Sequence, residues 1–299
     1  MATVTMGSLF PAELVKTMFS KVKGHSSLAK VAPAAPIAFT GTDVFVFGID
    51  GNVSIVGESA AKPAGSASVT SKQIRPVKVI YQARVSDEFV RASEEKQLEY
   101  LSAFADGFSK KIASAIDVMA MHGVNPATGS ASLIIGSNCF DSTITSTNTI
   151  TLGANSTTID TNIEQAIAKV EGAEYGVDGI VLAPAARAAM AELKATGGDR
   201  LYPDFAFGRV PENLGDATLD VNATVSAASS LDRVLVGNFE AFRWGYADSI
   251  PLEVIRYGNP DGGSYDLKQA NEVLLRSEAY IGWGILDANA FALVKAANG

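Results

Sequence analysis

The 299-residue sequence predicts an α+β fold organised around one long helix. Apolar and small residues recur in steps of three and four from residue 98 to residue 119, which is the period of one helix face. From residue 77 to residue 85 the pattern alternates, as in a strand with two different faces. Residues 179–183 are typical of a buried strand between two helices. A long helix beside strands and a compact α/β unit together indicate this fold class.

The long helix is predicted to run from Glu94 to His122. No helix breaker occurs before His122, and Gly123 can take the left-handed backbone that ends a helix. At 1.5 Å per residue such a helix has about eight turns and a length of roughly 40 Å, which suits a strut that carries other layers. His122 is expected to cap its C-terminal end, where the helix dipole favours a cation. An ordinary amphipathic core helix is the alternative.

Composition and charge exclude several classes of protein. A hydrophobic content of 47% is enough for a sizeable core, and a net charge of −8 argues against a protein that holds nucleic acid through its phosphates. One cysteine, Cys139, and two histidines, His25 and His122, exclude an internal disulfide framework and leave few metal ligands. We expect Cys139 to be buried and His25 to be solvated. Neither a signal peptide nor a membrane-spanning stretch is recognisable, so we expect a cytosolic product. Because the metal ligands are few, we expect no metal, and we also expect no cofactor.

The first 36 residues are predicted to form an arm. Residues 11–23 have the pattern of a short amphipathic helix that begins at a proline, and its apolar side includes Leu14, Met18 and Phe19. The prolines of residues 33–36 keep the following chain extended, so the short helix would need an external surface for its apolar side. Docking of this helix on its own domain is the alternative.

Residues 37–85 are predicted to form strands joined by a projecting loop. Residues 44–47 and 53–56 are rich in β-favouring side chains, and the alternating strand 77–85 follows. Residues 57–68 are small and polar, with too few apolar groups to order the segment by themselves. This loop either moves in solvent or lies on a neighbouring molecule.

A compact α/β unit and a hairpin are predicted in the second half. Thr161 and Glu164 have the spacing of a capping box, and Pro184 would begin a second helix that Gly197 and Gly198 end. A long irregular loop is predicted at residues 200–216. Further strands are predicted at residues 132–135, 149–152, 233–237 and 241–244, and a large hairpin at residues 252–257 and 271–285.

Motifs for catalysis are nearly absent from the sequence. It has no phosphate-binding lysine loop, no glycine-rich dinucleotide turn, no nucleophile elbow and no histidine pair at metal spacing. Arg200, Tyr202 and Asp204 of the long loop would be the polar groups of a small-molecule enzyme built on the α/β unit. The alternative for these three residues is a loop that lines a symmetry axis.

The order of these parts resembles the major capsid proteins of tailed bacteriophages, which have the Hong Kong 97 phage fold. The segments that carry the resemblance are GESAAKP at 57–63 with SKQ at 71–73, GIVLAP at 179–184 and NEVLLRSE at 271–278. The resemblance covers the whole chain in order. It implies an N-terminal arm (1–36), an extension-loop hairpin (37–85), a peripheral domain with the spine helix (86–133) and its hairpin (249–285), an axial domain (134–248) and a C-terminal return to that domain (286–299).

By this resemblance the chain is a structural subunit and not an enzyme. It would assemble with itself, as hexamers and pentamers, into an icosahedral shell that encloses double-stranded DNA without specific binding and without a membrane. Assembly contacts are expected at Leu14, Met18, Phe19, Arg200 and Tyr202. The arm begins within a few residues of the N-terminus, so a separate scaffolding protein is expected, with assembly of the chain unaided as the alternative. Portal and decoration proteins are expected as further partners. The shell would belong to a virion made in a bacterial cytoplasm; an encapsulin shell is the alternative.

The resemblance also implies a covalent cross-link. In cross-linking members of the family a lysine of the extension loop joins an asparagine of a neighbour with help from a glutamate, and Lys62, Asn271 and Glu278 match these positions. Asn271 and Glu278, seven residues apart on one strand, would be roughly 23 Å apart on opposite faces, so a complete site would need three chains. In the alternative Lys62 is solvated, Asn271 begins a strand and Glu278 pairs with an arginine such as Arg276.

Overall fold

The computed structural model describes residues 25–50, 53–88, 94–153, 158–247 and 252–297, and Leu14, Met18 and Phe19 lie outside them. The helices of this part are α1 (Ser27–Val31), α2 (Glu94–His122), α3 (Phe140–Thr143), α4 (Ile159–Glu171), α5 (Pro184–Glu192) and α6 (Leu267–Ala270). The strands are β1 (Thr42–Asp50), β2 (Ser66–Ile74), β3 (Val77–Ser86), β4 (Thr149–Thr151), β5 (Gly179–Leu182), β6 (Asn213–Leu214), β7 (Ala217–Val221), β8 (Asp232–Gly237), β9 (Phe242–Tyr246), β10 (Leu252–Ile255), β11 (Glu272–Ile285) and β12 (Phe291–Lys295).

Helix α2 has the bounds that the sequence predicts. The predicted stripe is buried from Leu101 onward, whereas Lys110 and Lys111 are exposed. The side chains of residues 94–98 and 100, including Leu98 of the stripe, lie outside the described part. Gly123 follows the helix with a φ of 67°, and its N–H donates to the Met119 carbonyl over 3.0 Å. The apolar period and the terminating glycine therefore both predicted this helix correctly.

The central sheet packs against α2. Its strand order is β10-β11-β3, and β9 pairs with the end of β11. The long strand β11 contributes Ala279, Ile281 and Trp283 to the same buried core as Phe108 and Ile112 of α2. The predicted hairpin is therefore confirmed in its second arm, and its first arm is the short strand β10.

The α/β lobe consists of a six-stranded sheet, in the order β4-β12-β8-β5-β7-β6, with helices α4 and α5. Strand β5 lies inside this sheet, and all four of its residues are buried, as predicted. Helix α4 begins at Ile159, before the predicted capping box, so Thr161 lies inside the helix. Helix α5 begins at Pro184 as predicted but ends at Glu192 instead of the glycine pair, because Leu193 takes an extended backbone and Lys194 bridges to Arg200.

The outer hairpin is defined as β1, β2 and the tip residues 53–65. The strand predicted at residues 44–47 lies within β1, whereas β2 was not predicted. Strand β1 pairs with β2 from Thr42 opposite Ile74 to Asp50 opposite Ser66. Residues 53–56 were predicted as a strand, but they lie in the tip beyond the last pair and have no partner. Residues 132–135 were also predicted as a strand, but the chain forms turns there. The β-type pairing next to this segment is a single isolated bridge, between Val124 and Ala131.

Candidate assembly surfaces

One face of the outer hairpin is apolar and open. Phe47 lies directly opposite Val69, and Phe45 is two residues before Phe47, so the three side chains share one face. Their exposed fractions are 69% for Phe45, 70% for Phe47 and 56% for Val69. A two-stranded sheet is marginal in water unless its apolar face is covered. This face is therefore a candidate surface for assembly.

The root of the outer hairpin is fixed to the rest of the chain. Ile74 at the end of β2 is 2% exposed, and a Cβ on Gly284 would come within 2.9 Å of its Cγ1, so a glycine there lets the two strands approach. The Lys72 ammonium donates to the Ile285 carbonyl over 2.7 Å. The hairpin therefore projects from a fixed base while its far end extends away from the core.

The three residues of the predicted cross-link have different surroundings in the structure. Lys62 is exposed in the hairpin tip. Asn271 is exposed and ends α6 with a left-handed backbone (φ 54°), so β11 begins one residue later than the sequence alternative expected. Glu278 accepts from the Lys78 ammonium at 2.7 Å, whereas Arg276, its expected partner, donates to Gln82 and to the Pro260 carbonyl. The structure thus provides an exposed lysine and an exposed asparagine, with the glutamate already paired.

The polar groups of the long loop do not meet at one point. The Arg200 guanidinium donates to the Ala191 carbonyl, and the Tyr202 hydroxyl donates to Asp160 over 3.1 Å. Burial, followed by this hydrogen bond, raises the pKa of Tyr202. Asp204 is exposed, and no hydrogen bond or ion pair joins it to Arg200 or Tyr202. These residues do not form a catalytic constellation, and the small-molecule enzyme has no support from their geometry.

Sequence reasoning missed an exposed aromatic residue of this loop. Phe207 is 94% exposed and has a left-handed backbone with φ 56° and ψ 35°. The Arg200 guanidinium lies 5.3 Å from the centre of its ring. The nearest sequence signal is the following Gly208, which indicates a turn and says nothing about exposure.

A buried carboxylate joins the beginning of the described chain to α2. Asp117 is fully buried and accepts from Ser26 Oγ at 2.5 Å, Ser27 N at 2.9 Å, Leu28 N at 3.2 Å and Thr224 Oγ1 at 2.9 Å. Burial raises the pKa of Asp117 to about 6, against the opposing effect of these four donors. Residues 26–28, which belong to the predicted arm, are therefore anchored on the long helix of their own chain by one side chain.

His122 belongs to a buried polar cluster rather than to a simple helix cap. Its Nδ1 lies 2.7 Å from Asp141 and its Nε2 lies 2.9 Å from the Thr224 carbonyl. Both ring nitrogens thus face acceptors, which suits the protonated imidazole. Burial lowers the pKa of His122, but the Asp141 and Thr224 hydrogen bonds outweigh it and the net shift is upward. The cap predicted from the helix dipole is replaced by side-chain contacts to the α/β lobe.

The same cluster has the ligand types of a metal site. His122, Asp141 and Asp232 offer ligand atoms within 4.8 Å of one another. The Lys295 ammonium, however, lies 2.6 Å from Asp141 and 3.2 Å from Asp232. Burial and the neighbouring Asp141 raise the pKa of Asp232 to about 6. A lysine between two carboxylates supplies the positive charge that a metal would bring, so the cluster is an ion-pair network.

Within the described ranges no helix is both long and apolar enough to cross a membrane.

The chain is similar to one protein family and to several solved structures. The sequence model of the phage capsid family matches residues 7–296. A chain of Mycobacterium phage Ogopogo is similar with a TM-score of 0.78 and 31% identity, over 91% of this chain and 92% of that chain. A chain of Gordonia phage Cozz has a TM-score of 0.75 and 24% identity, over 92% and 87%. A chain from the capsid of a native GTA particle has a TM-score of 0.66 and 17% identity, over 91% and 90%, and shares the fold. No curated protein matches.

Proposed function

The chain belongs to the phage capsid family, and from this premise we propose that the shell it forms encloses double-stranded DNA without specific contacts. As a member it is a shell-forming structural subunit of the virion capsid. The net charge of −8 supports a container that does not hold the polymer through its phosphates.

The observation that carries self-assembly is the open apolar face of the outer hairpin. Phe45, Phe47 and Val69 form a surface that the described chain leaves to solvent. A second copy that covers this face supplies the burial that the monomer lacks, and association stabilises the folded hairpin. We place the hairpin over a neighbouring subunit, as the extension loop of residues 37–85.

The rest of the chain would be divided as in the capsid fold that the sequence resembles. Of the arm (1–36), the part before residue 25, with Leu14, Met18 and Phe19, would lie on a neighbour, because residues 26–32 pack on their own chain. The peripheral domain (86–133 and 249–285) would carry the spine helix, and the axial domain (134–248), with the C-terminal return (286–299), would contact its neighbours in hexamers and pentamers through Arg200 and Tyr202. A head-to-tail contact repeated around an axis closes into such rings.

The further partners are proposed from the chemistry of a closed container. A shell filled with DNA needs an entrance, which a portal protein would provide, and assembly of the shell would use a separate scaffolding protein. A decoration protein would bind outside. Particles from infected cells should contain nuclease-protected double-stranded DNA; a protein cargo in its place would favour the encapsulin alternative.

The experiment that tests assembly is electron microscopy of the expressed chain, with and without a co-expressed scaffolding protein. Closed shells are the expected result, and soluble monomers under both conditions would contradict the proposal. A double variant, Phe45→Ser with Phe47→Ser, should lose shells while remaining folded. The matched control is Thr70→Ala, which changes an exposed residue on the other face of the same hairpin and should assemble normally.

The cross-link between Lys62 and Asn271 of different copies stays a prediction. The exposure of both side chains supports it, because each is accessible to a neighbour. Attack by the neutral lysine amine on the asparagine carboxamide would form an amide and release ammonia. Glu278 would first have to leave its ion pair with Lys78 before its carboxylate could take the proton.

A further inference from the structure

The loop between α5 and β6 holds a large aromatic side chain away from its own chain. Phe207 keeps 94% of its surface exposed although it has a left-handed backbone, which disfavours bulky residues. Arg200 lies over one face of the ring, and Arg209, two residues further, is exposed. Strained positions persist where a function requires them. An exposed aromatic with one arginine over its ring and a second arginine two residues along the chain has the composition of an interface anchor.

The same lobe contains a groove of matching character. A cavity of about 340 Å³ lies between α4, α5 and the β6–β7 turn. Half-buried Ile167 and Leu214 contribute apolar wall, and exposed Glu164, Glu171 and Asp216 contribute carboxylates to the rim. Residues 164, 167 and 171 are three or four apart, so they share one face of α4. The groove thus suits an apolar group that carries positive charge.

Phe207 does not occupy this groove in its own chain. The loop leaves the groove wall at Tyr202 and returns to it at Leu214, and Phe207 projects from between these two points. The loop also carries the acids Asp199, Asp204 and Glu212, but the charged group that lies against the ring is the guanidinium of Arg200. The acidic rim of the groove in one copy is therefore complementary to the arginines near Phe207 in another copy.

We propose that Phe207 of one copy inserts into the α4 groove of a neighbouring copy, with Arg200 and Arg209 against the acidic rim. The inference rests on the proposed self-assembly and assigns one of its contacts. Because the projection and the groove are different surfaces, the contact is head-to-tail. Repeated by rotation, such a contact closes into a ring, as pentamers and hexamers require.

The test uses chains that each carry one new cysteine. Arg209→Cys chains, which keep Phe207, and Glu164→Cys chains are co-expressed, and the particles are treated with a short bifunctional maleimide. The matched control replaces Glu164→Cys by Lys169→Cys, which is exposed on the same helix but about 140° around its axis. The native Cys139 is 1% exposed and is common to all samples. Thermal melting checks that each variant is folded.

The expected result is a covalent dimer from the Arg209→Cys and Glu164→Cys mixture, at least about tenfold above the Lys169→Cys mixture and above each variant alone. Equal yields in the two mixtures, or no dimer from intact particles, would overturn the contact. Wild-type particles are examined first by electron microscopy. If wild-type chains form no particles, the proposed self-assembly fails; if they form particles that do not cross-link, the groove contact alone fails.

Discussion

Replacing Asp117 with asparagine should change how the stability of the subunit depends on pH. Burial raises the pKa of this carboxyl to about 6, from 3.8 when exposed, so the folded state binds the proton more tightly than the unfolded state. The stability that this proton contributes is complete below the unfolded pKa and is lost as the pH rises through the folded pKa. A shift of about two pKa units corresponds to about 3 kcal/mol in total, of which about 1.4 kcal/mol falls between about pH 5 and about pH 7.5.

The assay is urea unfolding of the unassembled subunit at these two pH values, followed by circular dichroism. Asparagine does not titrate, so the free energy of unfolding of the wild type minus that of Asp117→Asn should be larger at the lower pH by about 1.4 kcal/mol. The subtraction removes groups that titrate in both proteins. A difference that is the same at both pH values would show that the four hydrogen bonds keep the carboxylate ionised, and would refute the reasoning.

Three further predictions concern the helix, the cross-link and the arm. Phe108→Asp should abolish soluble expression, because an unpaired buried charge costs several kcal/mol of a total of about 5 to 15, while Lys111→Ala should melt like the wild type; similar behaviour would mean that the buried face is misassigned. On a denaturing gel of mature particles, bands far above 31.2 kDa that vanish in Lys62→Arg support the cross-link, and a lone monomer band rules it out. Deletion of residues 1–24 should leave a folded subunit that closes shells poorly; normal shells by sedimentation would contradict it.

The elements that the sequence predicted well have strong local signals. Helix α2 carries its apolar period and its terminating glycine in one continuous segment, and β5 is short, apolar and bounded by Pro184. Strand β2 gives no such signal, because its residues are mostly polar and exposed and its pairing with β1 is a contact between distant segments. Residues 53–56 had the better β composition but no partner strand, so composition alone favoured the wrong segment.

At the candidate surfaces, too, contacts between distant segments could not be predicted from the sequence. The sequence could place Lys62 in a projecting segment, because small polar residues surround it. It could not pair Glu278 with Lys78 in preference to Arg276, since the choice depends on the register of β11 against β3. Asp117 lies in a helical stretch where a carboxylate normally faces solvent, and its donors come from residues about a hundred positions away in both directions.

The position of Thr224 has a mechanical consequence. Its hydroxyl donates to Asp117 and its carbonyl accepts from His122, so one residue of the α/β lobe is held by two residues of the same helix, more than one turn apart. Rotation of the lobe about the helix would break both contacts together; the Asp117 contact is buried and the His122 contact is partly buried. The α/β lobe and helix α2 should therefore move together as one rigid body. If the shell changes diameter, the bending would be concentrated where β1 and β2 leave their root, and the particle would deform by swinging its hairpins rather than by reshaping its subunits.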